Sequence, residues 1–457
     1  MKKLIILYCI SAWVGLGACS VYKSYERPDM PVVDSLYRQA AATSADTTSI
    51  ASLSWRELFT DPKLQALIET GLQNNTDLNI ARLKVTEAEA TLMTSRLAYL
   101  PSISFEPSGT LRSVDGNAMT KSYDIAASAS WEVDIFGKLT NAKRGAKAAL
   151  EQSEAYRQAV QTQLIATIAN SYYSLLMLDA QLDISERTAA IWGENVRAMK
   201  ALKAAGDDTE LAVAQSEASK LSVDASIASL RQQIDQMENT LTALLGIAPQ
   251  KIDRTTIGEQ RFPTELAAGV PLQLLQRRPD VRQSEAALAQ AFYATNAARA
   301  AFYPSITLSG SAGWTNAAGA AITNPGQWLF TAVGSLVQPL FNRGKNIANL
   351  RIAKAQQEEA LLSFRQSLLD AGTDVNNALI QWQTARQRQQ IDQQQILSLE
   401  STVRSSELLM QYSSQNYLEV LTARQTLLQA ELTAVSDRFD EIQGVINLYH
   451  ALGGGAE

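Results

Sequence analysis

The feature that most constrains this chain is that it is written twice. LPSIS at Leu100–Ser104 recurs as YPSIT at Tyr303–Thr307, and DIFGK at Asp134–Lys138 recurs as PLFNRGK at Pro339–Lys345. ELAV at Glu210–Val213 recurs as YLEV at Tyr417–Val420. The offsets are 203 for Pro101/Pro304, 205 for Phe136/Phe341 and 207 for Leu211/Leu418. So steady an offset marks a tandem structural duplication, and the unit is too long to be one turn of a solenoid. Each half must build the same elements in the same order.

The order can be read off either copy. A helical run comes first, Asp77–Tyr99 and then Asp280–Phe302, and Pro101 and Pro304 close it because a residue before proline is pushed out of the helical region. A hairpin follows, spanning 101–135 and 304–341. Leu139–Ala205 then carries no proline and only Gly145 and Gly193 inside it, so it predicts one continuous helix on the order of 100 Å long. Thr209–Leu245 sets Ile227, Leu230, Ile234, Met237, Leu241 and Leu244 at alternating spacings of three and four. Leu361 to Trp382 and Leu428 to Tyr449 repeat that heptad pattern, which predicts coiled-coil-like packing in a bundle or barrel of helices. The first repeat runs over 54–245 and the second over 279–452. A proline-, glycine- and charge-rich connector at 246–278 suits a small equatorial collar, and 453–457 is a tail.

The hairpins carry the sharpest local signal. Tyr123, Ile125, Ala127, Ala129, Trp131, Val133 and Ile135 alternate with Asp124, Ser128, Ser130, Glu132 and Asp134. Ile103, Phe105 and Leu111 alternate with serines, Glu106 and Arg112, and Ile306, Leu308 and Trp314 alternate with Ser305, Thr307 and Ser309. Period two with opposite polarities describes a strand between two solvents. In the fourth strand, Trp328–Leu340, Val333 and Val337 interrupt the polar face. A soluble sheet over a core would show the same alternation, but little sequence remains to cover it, and strands this long suit a tilted transmembrane strand. Four strands cannot close a barrel, and open sheet edges are not tolerated in lipid. Other copies must therefore pair those edges; three copies would give twelve strands, while the arithmetic alone also allows two or four.

The N-terminus supplies an address. Lys2 and Lys3 precede an apolar stretch, Leu4–Leu16, of export-signal length, and LGAC ends at Cys19. This resembles a lipoprotein signal: residues 1–18 are removed, Cys19 becomes the acylated N-terminus, and 19–53 form the anchor and an extended segment. Ser20 permits sorting to the outer membrane. Of two cysteines, Cys9 lies inside the signal, so the processed chain cannot form an internal disulfide or a cysteine metal cluster. The single histidine, His450, reads as a solvated helix-end residue, which leaves no histidine-based catalytic constellation. A net charge of −6 disfavours nucleic acid as a partner. Neither a cofactor, a metal nor an enzymatic role is expected.

SWRELFTDPKLQALIETGLQNNTDLNIARLKVTEAEA, from Ser54, resembles the opening of the TolC-like outer-membrane factor family. LLQRRPDVRQSEAALAQAFYATNAARAAFYPSITLSG, from Leu274, resembles its second half, and both are most similar to the NodT/OprM lipoprotein branch. The resemblance covers the mature chain in order. It implies a mainly α fold with a transmembrane β part: a homotrimer with a shared twelve-stranded barrel and a periplasmic helical tube. It also implies an exit duct that docks to a periplasmic adaptor protein and an inner-membrane transporter, here of the resistance-nodulation-division type, for small-molecule efflux. Type I protein secretion uses the same fold, and a pore-free lipid-anchored coiled coil is the reading from a different class. In the family, acidic residues at the helix-turn tip line a constricted entrance, where carboxylate rings tune gating and ion selectivity. Glu419 matches one such position, and Thr422 stands where a second acid is frequent. Ala212 is the first-copy counterpart, although Asp207, Asp208 and Glu210 crowd that turn. The membrane-facing set is Tyr123, Ile125, Trp131, Val133, Ile306, Leu308 and Trp314.

Overall fold

The computed structural model describes residues 22–29, 50, 53–113, 115–116, 119–206, 209–262, 278–316, 326–412 and 417–456. Cys19, the signal segment, residues 263–277 of the connector, and Asp207 and Asp208 lie outside them. The first copy builds α1 (Trp55–Leu58), α2 (Pro62–Asn74), α3 (Thr76–Leu97), β1 (Ser102–Arg112), β2 (Thr120–Val133), α4 (Lys138–Ala205) and α5 (Glu210–Leu244). The second builds α6 (Pro279–Ala300), β3 (Ser305–Thr315), β4 (Gln327–Val337), α7 (Lys345–Tyr412) and α8 (Tyr417–Ala451). The duplication is near-exact in length: α3 and α6 have 22 residues each, α4 and α7 have 68, and α5 and α8 have 35. From the first strand to the long helix the second hairpin is four residues longer than the first, which carries the offset from 203 at Ser102/Ser305 to 207 at Lys138/Lys345. No described helix is long and apolar enough to cross a membrane.

The local signals act as expected. Ser54 and Glu57 form a reciprocal capping box at α1, and Asp61 caps α2 ahead of Pro62. Asn75 ends α2 and starts α3. Its Oδ1 accepts from the Leu78 N–H (2.9 Å) while its amide donates to the Leu244 carbonyl (2.9 Å). Gly137 (φ 70°) and Gly344 (φ 76°) take left-handed conformations at equivalent points, where each hairpin turns into its long helix.

The chain forms two compact units, and α3, α4, α6 and α7 contribute to both. One comprises Lys84–Glu154, Gln283–Arg365 and the described residues 22–29. It holds a single antiparallel sheet in the order β1-β2-β3-β4. The N-terminal strap is docked there: Tyr25 packs edge-on against Phe292 (5.9 Å), and Arg27 pairs with Glu285 (Nε–Oε1 2.7 Å). In β4 the polar face is interrupted at Val333 and Val337, as expected, and at one further position. Its face towards Trp314 is unbroken (Trp328, Phe330, Ala332, Gly334, Leu336), while Leu329 joins Val333 and Val337 on the other, so β4 is apolar on both sides towards its ends.

The other unit comprises the described parts of Met30–Leu83, Ala155–Arg282 and Gln366–Glu457. Ile227, Ile234 and Leu241 of α5 are buried every seventh residue, and Leu368, Ala371, Val375, Ala378 and Trp382 of α7 are buried at alternating spacings of three and four. Gly444 of α8 is needed for the closest approach, since a Cβ there would lie 2.9 Å from the Trp382 backbone. A polar knot joins the connector to the helices. Asp61, 5% exposed, accepts hydrogen bonds from the Tyr172 hydroxyl (2.6 Å), Thr255 hydroxyl (2.5 Å), Gln260 amide (3.1 Å) and Lys63 N–H (2.9 Å). Burial alone would raise its pKa, yet those donors outweigh burial and hold the carboxyl below its ordinary range. Arg278 fastens the connector's far end, reaching Asp280 (2.7 Å), Asp374 (2.9 Å) and the Ala451 carbonyl (3.0 Å). His450 departs from its expected solvated state: burial, and then Arg278, push its pKa down.

Asp61→Ala leaves several buried donors unpaired and should cost about 2 kcal/mol. The measurement is thermal melting of the detergent-solubilised protein at neutral pH. Because the folded pKa is depressed, the stabilisation is present at neutral pH and is lost as pH falls through that pKa. Asp253→Ala, at an exposed partner of Lys63, should leave the melt unchanged.

Candidate functional site

The sheet sorts its side chains by register. Ile125 pairs with Trp314, Trp131 with Leu308 and Val133 with Ile306, so the expected apolar residues share one face with Tyr123. Ile103, Phe105 and Leu111 extend that face across β1, and Trp328, Phe330 and Leu336 extend it across β4. It runs from edge to edge without a charge until Lys121 at the hairpin end. Aromatic side chains collect at both ends. Trp314 and Trp328 lie 5.0 Å apart near the hairpin loops; Phe136 stacks on Tyr303 (4.9 Å, 14°) at the helical end. There too the Trp131 indole donates to the Tyr99 carbonyl (2.9 Å). Paired girdles of this kind suit rings that seat an apolar body in lipid and a polar tip in water. The pairing of β2 with β3, between residues 173 to 191 positions apart, had no local sequence signal.

The opposite face is rich in hydroxyls. Ser104, Ser128, Ser311 and Thr331 form one cross-strand row, with Ser104 and Ser128 hydroxyls 2.7 Å apart, and they line an open cleft of about 280 Å³. Glu106, Asp124 and Glu132 are on this face. Asn316, 6% exposed, ties the end of β3 to β2 by accepting from the Tyr123 N–H (2.6 Å) and donating to the Lys121 carbonyl (3.3 Å). Sequence reading passed over this asparagine, whose one signal was its place directly after an amphipathic strand.

The helix-turn ends differ between the copies. In the first, Thr209 caps α5, Glu210 is ion-paired with Lys203, and Leu211 is 66% exposed. In the second, Glu419 is the third residue of α8 and is exposed, with no ion pair to another described residue. Its counterpart Ala212 is buried, in a cluster with Trp192, Met199, Val213 and Leu421. The structure thus presents an outward acid at this position in one copy only. Thr422, in the place of a second acid, donates to the Leu418 carbonyl (2.9 Å). Arg424 braces the turn through Glu407 (Nε–Oε1 3.1 Å).

These features, a two-faced sheet with unpaired edges and a duplicated set of long helices, are the architecture of a known family. The outer membrane efflux protein family matches residues 67–247 and again 270–454, once per copy and with the same offsets of 203 and 207 at the two ends. The chain belongs to that family. It is 30% identical to the "Cation efflux system protein CusC" of Escherichia coli K12, with 98% of each chain covered. It is 29% identical to the "Probable outer membrane lipoprotein SilC" of Salmonella typhimurium, covering 100% of this chain and 99% of the relative. Among solved structures, the open state of the Neisseria gonorrhoeae MtrE outer membrane channel superposes with a TM-score of 0.86 at 28% identity, over 96% of this chain and 99% of that one. As a member of the family, the protein is an outer-membrane efflux channel whose site is a wall and a mouth.

One electrostatic feature of the helices went unseen in sequence. Asp437 of α8 is 1% exposed and Asp392 of α7 is 8% exposed, and the two carboxyl groups face each other. Burial first, then the contact with Asp392, push the pKa of Asp437 up to about 6, against the pull of Arg388. A raised folded pKa means that stability from the shared proton is complete below the unfolded value and is lost as pH rises through about 6. The detergent-solubilised protein should therefore melt several degrees higher at about pH 5 than at pH 7. Asp437→Asn should flatten that difference, as read by circular dichroism melts across the range.

Proposed function

We propose that three copies of this chain close one outer-membrane β-barrel and one periplasmic helical tube, the passive exit duct of a tripartite efflux system. In this reading a periplasmic adaptor and an inner-membrane transporter of the resistance-nodulation-division type deliver small molecules to the mouth, and no step is catalysed. Residues 1–18 are the removed signal, acylated Cys19 anchors the chain in outer-membrane lipid, and 246–278 form the collar. The similarity to SilC, a probable outer membrane lipoprotein, supports the anchor. The observation that carries the proposal is the sheet: apolar from edge to edge on one face, mostly polar on the other, and, among the described residues, unpaired along the outer edges of β1 and β4. In lipid those edges need partners.

The duplication specifies the partner's register. β2 and β3 join the first hairpin to the second, with Ser128 opposite Ser311. Moving β2 onto β4 by the offset of 207, and β3 onto β1 by 203, places Ser335 of one copy opposite Ser108 of the next. Both are on the polar face, so the transferred register keeps the two faces of the sheet intact. Ser335→Cys combined with Ser108→Cys should give a covalent trimer on mild oxidation. The pair Ser335→Cys with Leu111→Cys, on opposite faces, should not. A ladder that stops at dimer, or no cross-link at all, sinks the closed trimeric barrel.

Within that duct, Glu419 is assigned to the entrance. Glu210 is drawn into its pair with Lys203, and Asp207 and Asp208 stand beside it in sequence as secondary contributors. Three exposed carboxylates across a narrow opening attract cations and repel one another. In planar bilayers Glu419→Ala should raise basal conductance or reduce cation selectivity with trimer yield unchanged, whereas Glu106→Ala should leave the entrance resistance alone. Unaltered conductance and selectivity in Glu419→Ala would make the residue an ordinary turn acid.

A further inference from the structure

In the helical unit, α4, α7 and α8 enclose a cavity of about 230 Å³ that the channel reading does not use. Its apolar lining includes Ile184, Trp192, Val403, Leu427 and Leu428, and Trp192 is 1% exposed. Four charged side chains reach the same cavity: Arg187, Glu407, Arg424 and Glu431. They are not equivalent. Arg187 is paired with Asp183 (3.1 Å), and Arg424 is paired with Glu407 (3.1 Å). Glu431 has no ion pair with another described residue, although it is half-buried. Burial raises its pKa, Arg187 opposes that, and Glu400 adds to it. With Arg187 drawn to Asp183 and Arg424 to Glu407, Glu431 is the lining acid left to meet a cation. Arg424 also carries a buried Nη1 with no acceptor among the described residues.

We propose that this cavity binds small aromatic amines that carry an oxygen acceptor. The ammonium group pairs with Glu431, the ring lies among Leu427, Leu428 and Trp192, and the oxygen accepts from Arg424. Charge complementarity excludes the carboxylate analogue, because a second anion beside Glu431 would be repelled. The volume is below the usual drug-sized range, which limits the occupant to roughly ten non-hydrogen atoms. Such a ligand contacts α4, α7 and α8 together, so binding stabilises their arrangement by mass action. The proposal depends on the helical unit alone and leaves the reading of the sheet and tip independent of its outcome.

Tyramine tests it on the full-length protein in detergent, by isothermal titration with saturation-transfer NMR as a second readout. Saturable binding is expected with a Kd on the order of 0.1–1 mM, the range open to a ligand of this size. Three analogues isolate the parts: tyrosol lacks the charge, phenethylamine lacks the oxygen, and 3-(4-hydroxyphenyl)propionate reverses the charge. Tyramine should bind at least tenfold more tightly than tyrosol or the propionate, and several-fold more tightly than phenethylamine. Glu431→Gln should weaken tyramine at least tenfold and leave tyrosol unchanged, with the trimer and helical circular dichroism retained. Glu431→Asp should recover part of the loss. Non-saturable uptake overturns the proposal, since it indicates partition into detergent. So does tyramine binding that survives Glu431→Gln, or equal affinity for tyramine and tyrosol.

Discussion

The rest of the structure follows from the hydrogen bonds that β1 and β4 do not make. A backbone N–H or C=O in hydrocarbon without a partner costs several kcal/mol, so an open four-stranded sheet with a lipid-facing side is not a stable end state. One chain supplies the pairings β1·β2, β2·β3 and β3·β4 and stops. The duplication makes that shortage soluble. The β2·β3 seam already joins one hairpin to the next, and its geometry can be repeated outside the chain without a new kind of contact. A single hairpin gene would have needed more copies to close the same circumference. Doubling the unit therefore reduces the number of chains that must meet in the membrane.

The same doubling sets the helices. Each hairpin must return to a helix twice as wide as a strand, and Gly137 and Gly344 absorb the turn at matching points. The helices are then held less by intrinsic propensity than by burial along one stripe, with Trp382 seated against Gly444 and Phe59 against Tyr173 and Tyr449. Polar knots at Asp61 and Arg278 fix where the stripes meet. These buried charges are tolerable because their hydrogen-bonding capacity is largely met, and removing one partner leaves the others stranded. Asp437 is the exception: it pairs with Arg388 but also faces the Asp392 carboxyl, and a proton makes good the deficit.

Much of this was legible in the sequence, and for a physical reason. Period two in Tyr123–Val133 and heptads in Ile227–Leu241 are local consequences of two solvents and of helix packing, so they are written where they act. Pro101 and Pro304 mark boundaries by the sterics of a neighbouring residue. What stayed hidden is non-local. Asp61 meets Gln260 across 199 positions, and nothing near either residue reports the other. His450 looked like a solvated helix end because burial by Arg278 and its acids comes from other segments. In β4 the polar alternation fails at Leu329, Val333 and Val337, which made its register visible only through the pairing with β3. The entrance residues were named from a resemblance and not from a pattern, because a turn acid that lines a pore has the same local sequence as a turn acid that faces bulk water.

Departures from the internal symmetry are where specific function can reside. A duplicated scaffold with equal helix lengths would by itself present two equivalent tips. Instead the position occupied by buried Ala212 in the first copy holds exposed Glu419 in the second, and the acid beside it in the first copy is tied to Lys203. The two helices bury the same positions behind the tip, Val213 and Val420, Ser216 and Ala423, Val223 and Ala430. The exchange of Ala212 for Glu419 therefore changes which side chain points away from the core without altering the stem behind it. The scaffold needs symmetry to close its barrel with few chains, whereas a mouth needs its charges on selected helices only. Both demands are met because the stripes that pack the stems leave the first turn of each helix free to differ.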